Sequence, residues 1–323
     1  MLCISSPFTD PYFNLATEEF LLQHFTDDIF MLWRNEPAII VGKFQNTAAE
    51  INLDFVKEKH IKVVRRLTGG GAVFHDLGNL NYTFIEAGSH RDFKAFTEPI
   101  IAFLQSLGVA ATFEGRNDLM IDGQKFSGTA QCVFNDKTLH HGTLLFSSEM
   151  EDISAALKVN PLKFQDKAVK SVRKRVTNIS DHLPQKMEIK EFTAELMNYV
   201  RSHSADTQEY TFSDEDVRAI GLLRDEKYAT WEWNFGSSPQ FNYTKAIRTA
   251  AGTVEVDMSI LKGRITDIHF CGDFFSPSDI TELEQAFVNQ PYREENIQGV
   301  LSKIQIGNYI THLTNEDVMK VMF

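Results

Sequence analysis

Residues 65–76 read Arg65-Arg66-Leu67-Thr68-Gly69-Gly70-Gly71-Ala72-Val73-Phe74-His75-Asp76, two cations at the mouth of a triple glycine. Consecutive glycines adopt positive φ without strain and carry no Cβ atoms to hold a ligand away. Their successive N–H groups can converge on one anionic oxygen, and arginines add charge and a planar fork of donors for the same anion. The chemistry this suggests is the holding of a phosphate or carboxylate; a tight turn that needs glycine for backbone reasons alone is the other reading. The loop lacks the Gly-Lys-Ser/Thr ending of a P-loop and the Gly-x-Gly-x-x-Gly spacing of a dinucleotide fold. A second block, Glu114 to Gln131, contains Asn117, Asp118, the pair Asp122-Gly123, and Lys125 ahead of Ser127-Gly128-Thr129. Asp-Gly is a strong two-residue hairpin signal, so Asn117–Ile121 folds back on Gln124–Thr129 and brings Asp118 beside Lys125. A lysine there is either a solvated strand residue or a movable point charge for phosphate and carboxylate oxygens. In His140-His141 the rings fall on opposite strand faces, which is poor for zinc but can send one imidazole into a pocket. Lys163 to Arg175 gathers Lys163, Lys167, Lys170, Arg173, Lys174 and Arg175 in an otherwise acidic chain. That is either a solvated basic face or a segment that meets a polyanion such as a nucleoside triphosphate.

Periodicity supplies the elements that must position these residues. Ile61 to Val64 is a β-branched run and Leu80 to Ile85 alternates, so the glycine loop lies between strands. Asn14 suits a helix N-cap, with Thr17, Glu18 and Glu19 in the first turn and Leu15, Phe20, Leu21 and Leu22 as the apolar face. Ile29 to Trp33 and Ala38 to Val41, separated by Arg34-Asn35-Glu36-Pro37, predict a hairpin that ends its first strand on Trp33, a core aromatic or a pocket wall. Helices are predicted over Ala48 to His60, Phe93 to Leu107, Glu188 to Ser202 and Ser213 to Leu223, and a strand over Leu139 to Phe146. Beyond about residue 246 the pattern restarts, with two strands around Leu261-Lys262-Gly263 and helices to the end. The expectation is an α+β chain in two parts, residues 1–246 and a small α+β domain over 247–323.

Composition bounds the function. The 323 residues are 43% hydrophobic and 24% charged, the profile of a globular protein with a substantial core. A net charge of −12 argues against general affinity for nucleic acid or anionic membrane. Three cysteines, Cys3, Cys132 and Cys271, are far apart and form no Cys-x-x-Cys pair, which fits a reducing compartment. No signal peptide and no apolar run of membrane-spanning length is apparent, so a cytoplasmic location is expected.

Taken in order, Arg65 to Asn79, Gly115 to Leu119, Lys125 to Ala130, His140 to Leu145, Arg175 to Asn178 and Trp231 to Gly236 resemble the lipoate–protein ligase family, close to the bacterial ligase A type. The resemblance implies a large mixed-sheet domain of the biotin/lipoyl ligase type followed by a small accessory domain. It implies a two-step reaction in which lipoate attacks the α-phosphate of ATP, and a lysine of an acceptor domain then takes the lipoyl group from lipoyl-adenylate. By the family pattern Lys125 contacts both the lipoyl carboxylate and the α-phosphate and is the catalytic residue. Arg66, Gly71, Ala72, Val73, Phe74, Lys170 and Arg173 map to nucleotide binding. Trp33, Thr68, Gly70, His75, Asn117 and His141 map to the lipoyl site. Mg²⁺ is expected with ATP, with Asp118 as its ligand. The implied acceptors are lipoyl domains of 2-oxoacid dehydrogenase E2 subunits and the glycine cleavage H protein, with octanoate a possible second acyl substrate. The competing assignment is an ATP-independent octanoyl or lipoyl acyltransferase working through a cysteine thioester, for which Cys132 is the residue to weigh. Thr68 stands where many relatives carry serine, a change that keeps the hydroxyl.

Overall fold

The computed structural model describes residues 1–45, 47–88, 92–115, 117–149, 157, 176–235, 243–261 and 264–323. Its strands are β1 (Leu2–Ser5), β2 (Ile29–Trp33), β3 (Ala38–Val41), β4 (Lys62–Arg65), β5 (Val73–His75), β6 (Asn79–Ala87), β7 (Ala111–Glu114), β8 (Asp118–Ile121), β9 (Gln124–Phe134), β10 (Lys137–Leu145), β11 (Gln208–Glu209), β12 (Tyr243–Thr249), β13 (Gly252–Leu261) and β14 (Arg264–Gly272). They form an eight-stranded sheet in the order β11-β1-β2-β6-β10-β9-β8-β7 and two three-stranded sheets, β4-β3-β5 and β12-β13-β14. In the large sheet β1 is parallel to β2 and to β11, whereas β6 is antiparallel to both β2 and β10, so the sheet is mixed as expected.

Helices cover the two faces of the large sheet. On one face lies α1 (Pro11–His24), whose Phe13, Leu15 and Phe20 pack with Met31, Ile85 and Leu139 of the strands. Two short helices follow, α2 (Thr47–Glu50) and α3 (Leu53–Glu58). On the other face lies α4 (Phe93–Ser106), which buries Phe96, Ile100, Phe103 and Leu104 at helical spacing against Tyr82, Phe84 and Leu144. Each such side chain contributes about 1.5–3 kcal/mol by leaving water. The C-terminal sheet has its own apolar cluster, closed by the helices Ile280–Phe287, Glu294–Leu301 and Asn315–Met322. Residue 246 falls inside β12, all of which pairs with β13. No helix among the described residues is long and apolar enough to cross a membrane.

Three local expectations are corrected. Helix α1 begins at Pro11, and its cap is Asp10, whose carboxylate accepts from Tyr12 N; proline at the first position needs no N–H. Asn14 lies within that helix and is wholly buried. The predicted hairpin of β2 with β3 does not form. Every residue of both strands is buried, and each takes neighbours on both edges: β2 from β1 and β6, β3 from β4 and β5. Residues 34–37 carry the chain from one sheet to the other. The helix predicted over 48–60 is instead the pair α2 and α3, broken where Asn52 Oδ1 accepts from Phe55 N.

Candidate active site

A cavity of about 280 Å³ lies between the large sheet and the glycine loop. Strand alternation builds its floor. Asn81 of β6 pairs with Trp33 of β2 on one side and Thr143 of β10 on the other, and all three line the cavity. Two residues along β10 from Thr143, His141 faces the cavity while His140 packs flat on Phe96 of α4, at a ring separation of 4.8 Å. The opposite-face reading of the histidine pair therefore holds.

The hairpin at Asp122-Gly123 forms as the sequence predicts, with φ of 50° and 73° at its two turn residues. Strands β8 and β9 then pair Asp118 with Gly128 and Met120 with Lys125, with a register shift between Leu119 and Met120. Lys125 Nζ sits 2.7 Å from Asp118 Oδ1, and both side chains remain more than a third exposed at the cavity mouth. A Cβ on Gly128 would stand 3.0 Å from Lys125 Nζ, so the glycine gives the lysine its room. Asn117 lines the same end and donates from Nδ2 to Thr129 O at 2.7 Å.

The two arginines do not act as a free fork at the mouth. Arg65 donates to the carbonyls of Gly42, Lys43, Gln45, Trp233 and Asn234 and to Thr47 Oγ1. Arg66 is buried beneath the loop, where Nη2 holds Gly69 O at 2.6 Å and Gly71 O at 2.9 Å, Nη1 holds Ile40 O, and Nε holds Thr68 Oγ1. Burial lowers its pKa to about 10, so the group is still a cation at neutral pH. Its charge reaches the cavity through the loop it organises, and Arg66 itself forms part of the lining. Gly70, at φ +88°, gives its N–H to Phe274 O of the C-terminal part at 2.9 Å. A Cβ on Gly69 would come within 2.3 Å of that same oxygen. The expected nest of loop N–H groups thus has one donor taken up by the chain itself, and Asp273 and Phe275 complete the cavity wall.

A chain of hydrogen bonds joins the two ends of the site. Trp33 Nε1 donates to Thr83 Oγ1 at 2.8 Å, and Thr83 donates to Glu18 Oε1 at 2.6 Å. A carboxylate accepts only, so His141 Nδ1 donates to Glu18, and its Nε2 lies within hydrogen-bond distance, 2.8 Å, of Thr68 Oγ1. Arg66 Nε closes the series on Thr68. Sequence reasoning missed Glu18, because it placed that residue on an exposed first turn; with α1 starting at Pro11, Glu18 is in mid-helix and 1% exposed. Its neighbour Glu19 is likewise drawn inward, by Lys227 Nζ at 2.7 Å and Tyr228 Oη at 2.6 Å.

Of the residues expected at the site, Trp33, Arg66, Gly70, Gly71, Ala72, Val73, His75, Asn117, Asp118, Lys125 and His141 line the one cavity. Thr68 stands behind His141, and the Phe74 side chain turns away into the cluster of Ile39, Val41 and Val63. Lys170 and Arg173 lie outside the described residues. Cys132 has its thiol pushed up to about 12 by burial, the reverse of what a nucleophilic cysteine needs.

Residues 10–201 match the lipoyl protein ligase A/B catalytic domain, and residues 238–322 match the bacterial lipoate protein ligase C-terminus. The chain belongs to the lipoate–protein ligase family. It is 40% identical over 321 residues to the lipoate-protein ligase LplJ of Bacillus subtilis, covering 97% of each chain. It is 39% identical to lipoate–protein ligase 1 of Staphylococcus aureus, again over 97% of both. Among solved structures, Plasmodium falciparum LipL1 in complex with lipoate superposes with a TM-score of 0.77 at 27% identity, over 99% of this chain and 97% of that one. A lipoate-protein ligase A bound with ATP superposes with a TM-score of 0.63 at 28% identity, over 73% of this chain and 98% of that one.

Proposed function

We propose that this chain is an ATP-dependent lipoate–protein ligase that forms lipoyl-adenylate in the cavity between Trp33 and Lys125 and passes the lipoyl group to a lysine of an acceptor protein. The observation that carries the reading is the ammonium of Lys125, half-exposed at the mouth of a cavity whose far walls are Trp33, His75 and His141. Two anions, the acid's carboxylate and the α-phosphate, must meet there, and a fixed positive charge lowers the cost of their approach. In the first step a carboxylate oxygen attacks the α-phosphorus and pyrophosphate leaves. In the second the acceptor's amine attacks the mixed anhydride, AMP leaves, and an amide remains. Gly71, Ala72 and Val73 supply main chain to the nucleotide, with Lys170 and Arg173 from the basic stretch. Mg²⁺ carried in on the triphosphate needs only a carboxylate or two from the protein. Asp118, paired with Lys125 in the free chain, would hold it, and the ion would supply charge neutralisation on the phosphates. Residues 1–246 carry this chemistry and 247–323 form the accessory part. The acceptors are lipoyl domains of 2-oxoacid dehydrogenase E2 subunits and the glycine cleavage H protein.

The test is mass spectrometry of a purified lipoyl domain after incubation with this protein, lipoate and Mg-ATP, alongside lipoate-dependent pyrophosphate release. One lipoyl group added per acceptor, with both signals absent when ATP is omitted, is the expected result. Modification that proceeds without ATP and disappears in Cys132→Ser would overturn it in favour of the thioester route.

A further inference from the structure

The wall of the cavity includes two residues with a buried polar atom that has no partner among the described residues, Nε2 of His75 and Nδ2 of Asn81. The residues are 3% and 1% exposed. The proton on His75 is fixed by a relay that ends on main-chain carbonyls. Asn14 approaches Phe8 O and Arg34 O with the same side-chain atom, each at 3.0 Å. Carbonyls only accept, so that atom is the amide nitrogen. It also lies 2.9 Å from Asn35 Oδ1, a third acceptor that shares its two hydrogens, and in this arrangement Asn35 turns its nitrogen to the ring, 3.1 Å from His75 Nδ1. Nδ1 is then an acceptor, and the ring's proton sits on Nε2, the buried atom left without a partner among the described residues. Burial, with Arg66 and His141 nearby, pushes this imidazole down to about 3, so it is neutral. Asn81 is held in turn by Asn79 Nδ2, which donates to Asn81 Oδ1 at 2.8 Å, so the amide nitrogen of this cavity-lining residue is the atom left without a partner among the described residues.

The position of these donors matches one end of a particular ligand. Trp33 adjoins both residues, its ring edge-on to His75 at 6.0 Å and its strand paired to β6 at Asn81. From β6 to β9, the strand of Lys125, is two strand spacings, about 10 Å. An octanoyl-length chain, with C–C bonds of about 1.5 Å, spans roughly that distance when extended. With its carboxylate at Lys125, such a chain ends at His75 and Asn81. A plain alkyl terminus would leave two buried donors without acceptors, whereas a dithiolane ring brings divalent sulfur, a weak acceptor.

We propose that His75 and Asn81 form a sulfur-directed end wall that selects a dithiolane-bearing acyl chain over an alkyl chain of the same length, with Asn14 and Asn35 as positioning residues. The inference rests on the reading of this cavity as the lipoate site. Its test compares lipoate with octanoate in acid-dependent pyrophosphate release by wild type, Asn81→Leu and Asn35→Asp. The aspartate keeps volume and the acceptor toward Asn14 but sets an oxygen against Nδ1, which draws the ring proton to that side. The lipoate-to-octanoate ratio of kcat/KM should fall about tenfold in each variant, the scale set by a buried donor left unpaired. The change should sit mainly in the KM for lipoate. A ratio within about twofold of wild type in either folded variant overturns the inference. Nitrogen-15 spectra of the wild-type histidines decide it independently of any variant. The Nε2–H form is expected, its proton moving with lipoate and not with octanoate; an Nδ1–H ring, or equal response to both acids, overturns it. Release with neither acid removes the lipoate reading and this inference together. Equal wild-type efficiency with both acids removes the inference alone.

Discussion

Replacing Arg66 by lysine keeps the charge and removes the fork. The guanidinium makes four hydrogen bonds, to Thr68 Oγ1, Ile40 O, Gly69 O and Gly71 O. An ammonium on a flexible stem is a point donor and satisfies one or two of these acceptors from the same position. The others stay buried without a partner. At roughly 1.5 kcal/mol for each hydrogen bond lost to a charged group, two or three losses amount to about 3–5 kcal/mol. With about 2 °C per kcal/mol for a large chain, the thermal midpoint of Arg66→Lys should fall by roughly 6–10 °C. Pyrophosphate release should fall with it, because the same side chain shapes Gly69 to Gly71 and holds Thr68 against His141. Scanning calorimetry at neutral pH, run with and without Mg-ATP, measures both consequences. A midpoint within about 2 °C of wild type, together with a loss confined to the KM for ATP, would refute this reasoning. It would mean that the arginine serves the nucleotide directly and leaves its own loop to other groups.

Lys125→Met should show the opposite split. Its ion pair with Asp118 is more than a third exposed on both sides, so the midpoint should hold to within about 1 kcal/mol while pyrophosphate release drops two to three decades, or ~3–4 kcal/mol; normal release would remove Lys125 from the chemistry. Cys132→Ser should retain most ATP-dependent activity, since a thiol at about 12 is protonated at neutral pH; loss of acceptor modification with a normal circular dichroism spectrum would contradict this. Acid should destabilise the fold through His75, whose folded-state pKa of about 3 lies below the ordinary 6.5. The unfolded chain then binds the proton first, so this contribution is complete above about pH 6.5 and is lost as pH falls toward about 3, at up to ~1.4 kcal/mol per unit. His140, lowered in the same direction by burial, adds to the slope. Urea midpoints at about pH 7 and about pH 5 should lie closer together for His75→Gln than for wild type, and an unchanged gap would count against a neutral ring.

Signals confined to a few residues were the legible ones. Asp122-Gly123 needs nothing beyond its own backbone to turn the chain, and that turn alone brings Asp118 to Lys125. The faces of His140 and His141 follow from strand alternation. What the sequence hid depends on partners far along the chain. Glu18 meets a histidine 123 positions away and Glu19 a lysine 208 positions away, so neither could be told from the acidic first turn that a helix dipole favours. Arg65 and Arg66 were recognisable as cations beside a glycine loop, yet the direction of each fork is set by carbonyls on β3 and around Asn234. Asn81 had a faint signature, an amide on the cavity-facing register of an alternating strand. Strand alternation gives its face but not the lack of a partner for its nitrogen.

The hydrogen bond from Gly70 to Phe274 would couple the docking of that segment to any ligand that needs the same N–H. One N–H cannot serve two oxygens at full strength, so a ligand oxygen that reaches it does so in competition with a carbonyl of the same chain. Reciprocity then follows: whatever factor the docked segment takes from ligand affinity, the ligand takes from docking. For a ligand oxygen that reaches Gly70, the glycine loop would be an exchange between an internal oxygen and an external one, and the affinity would be a difference between the two.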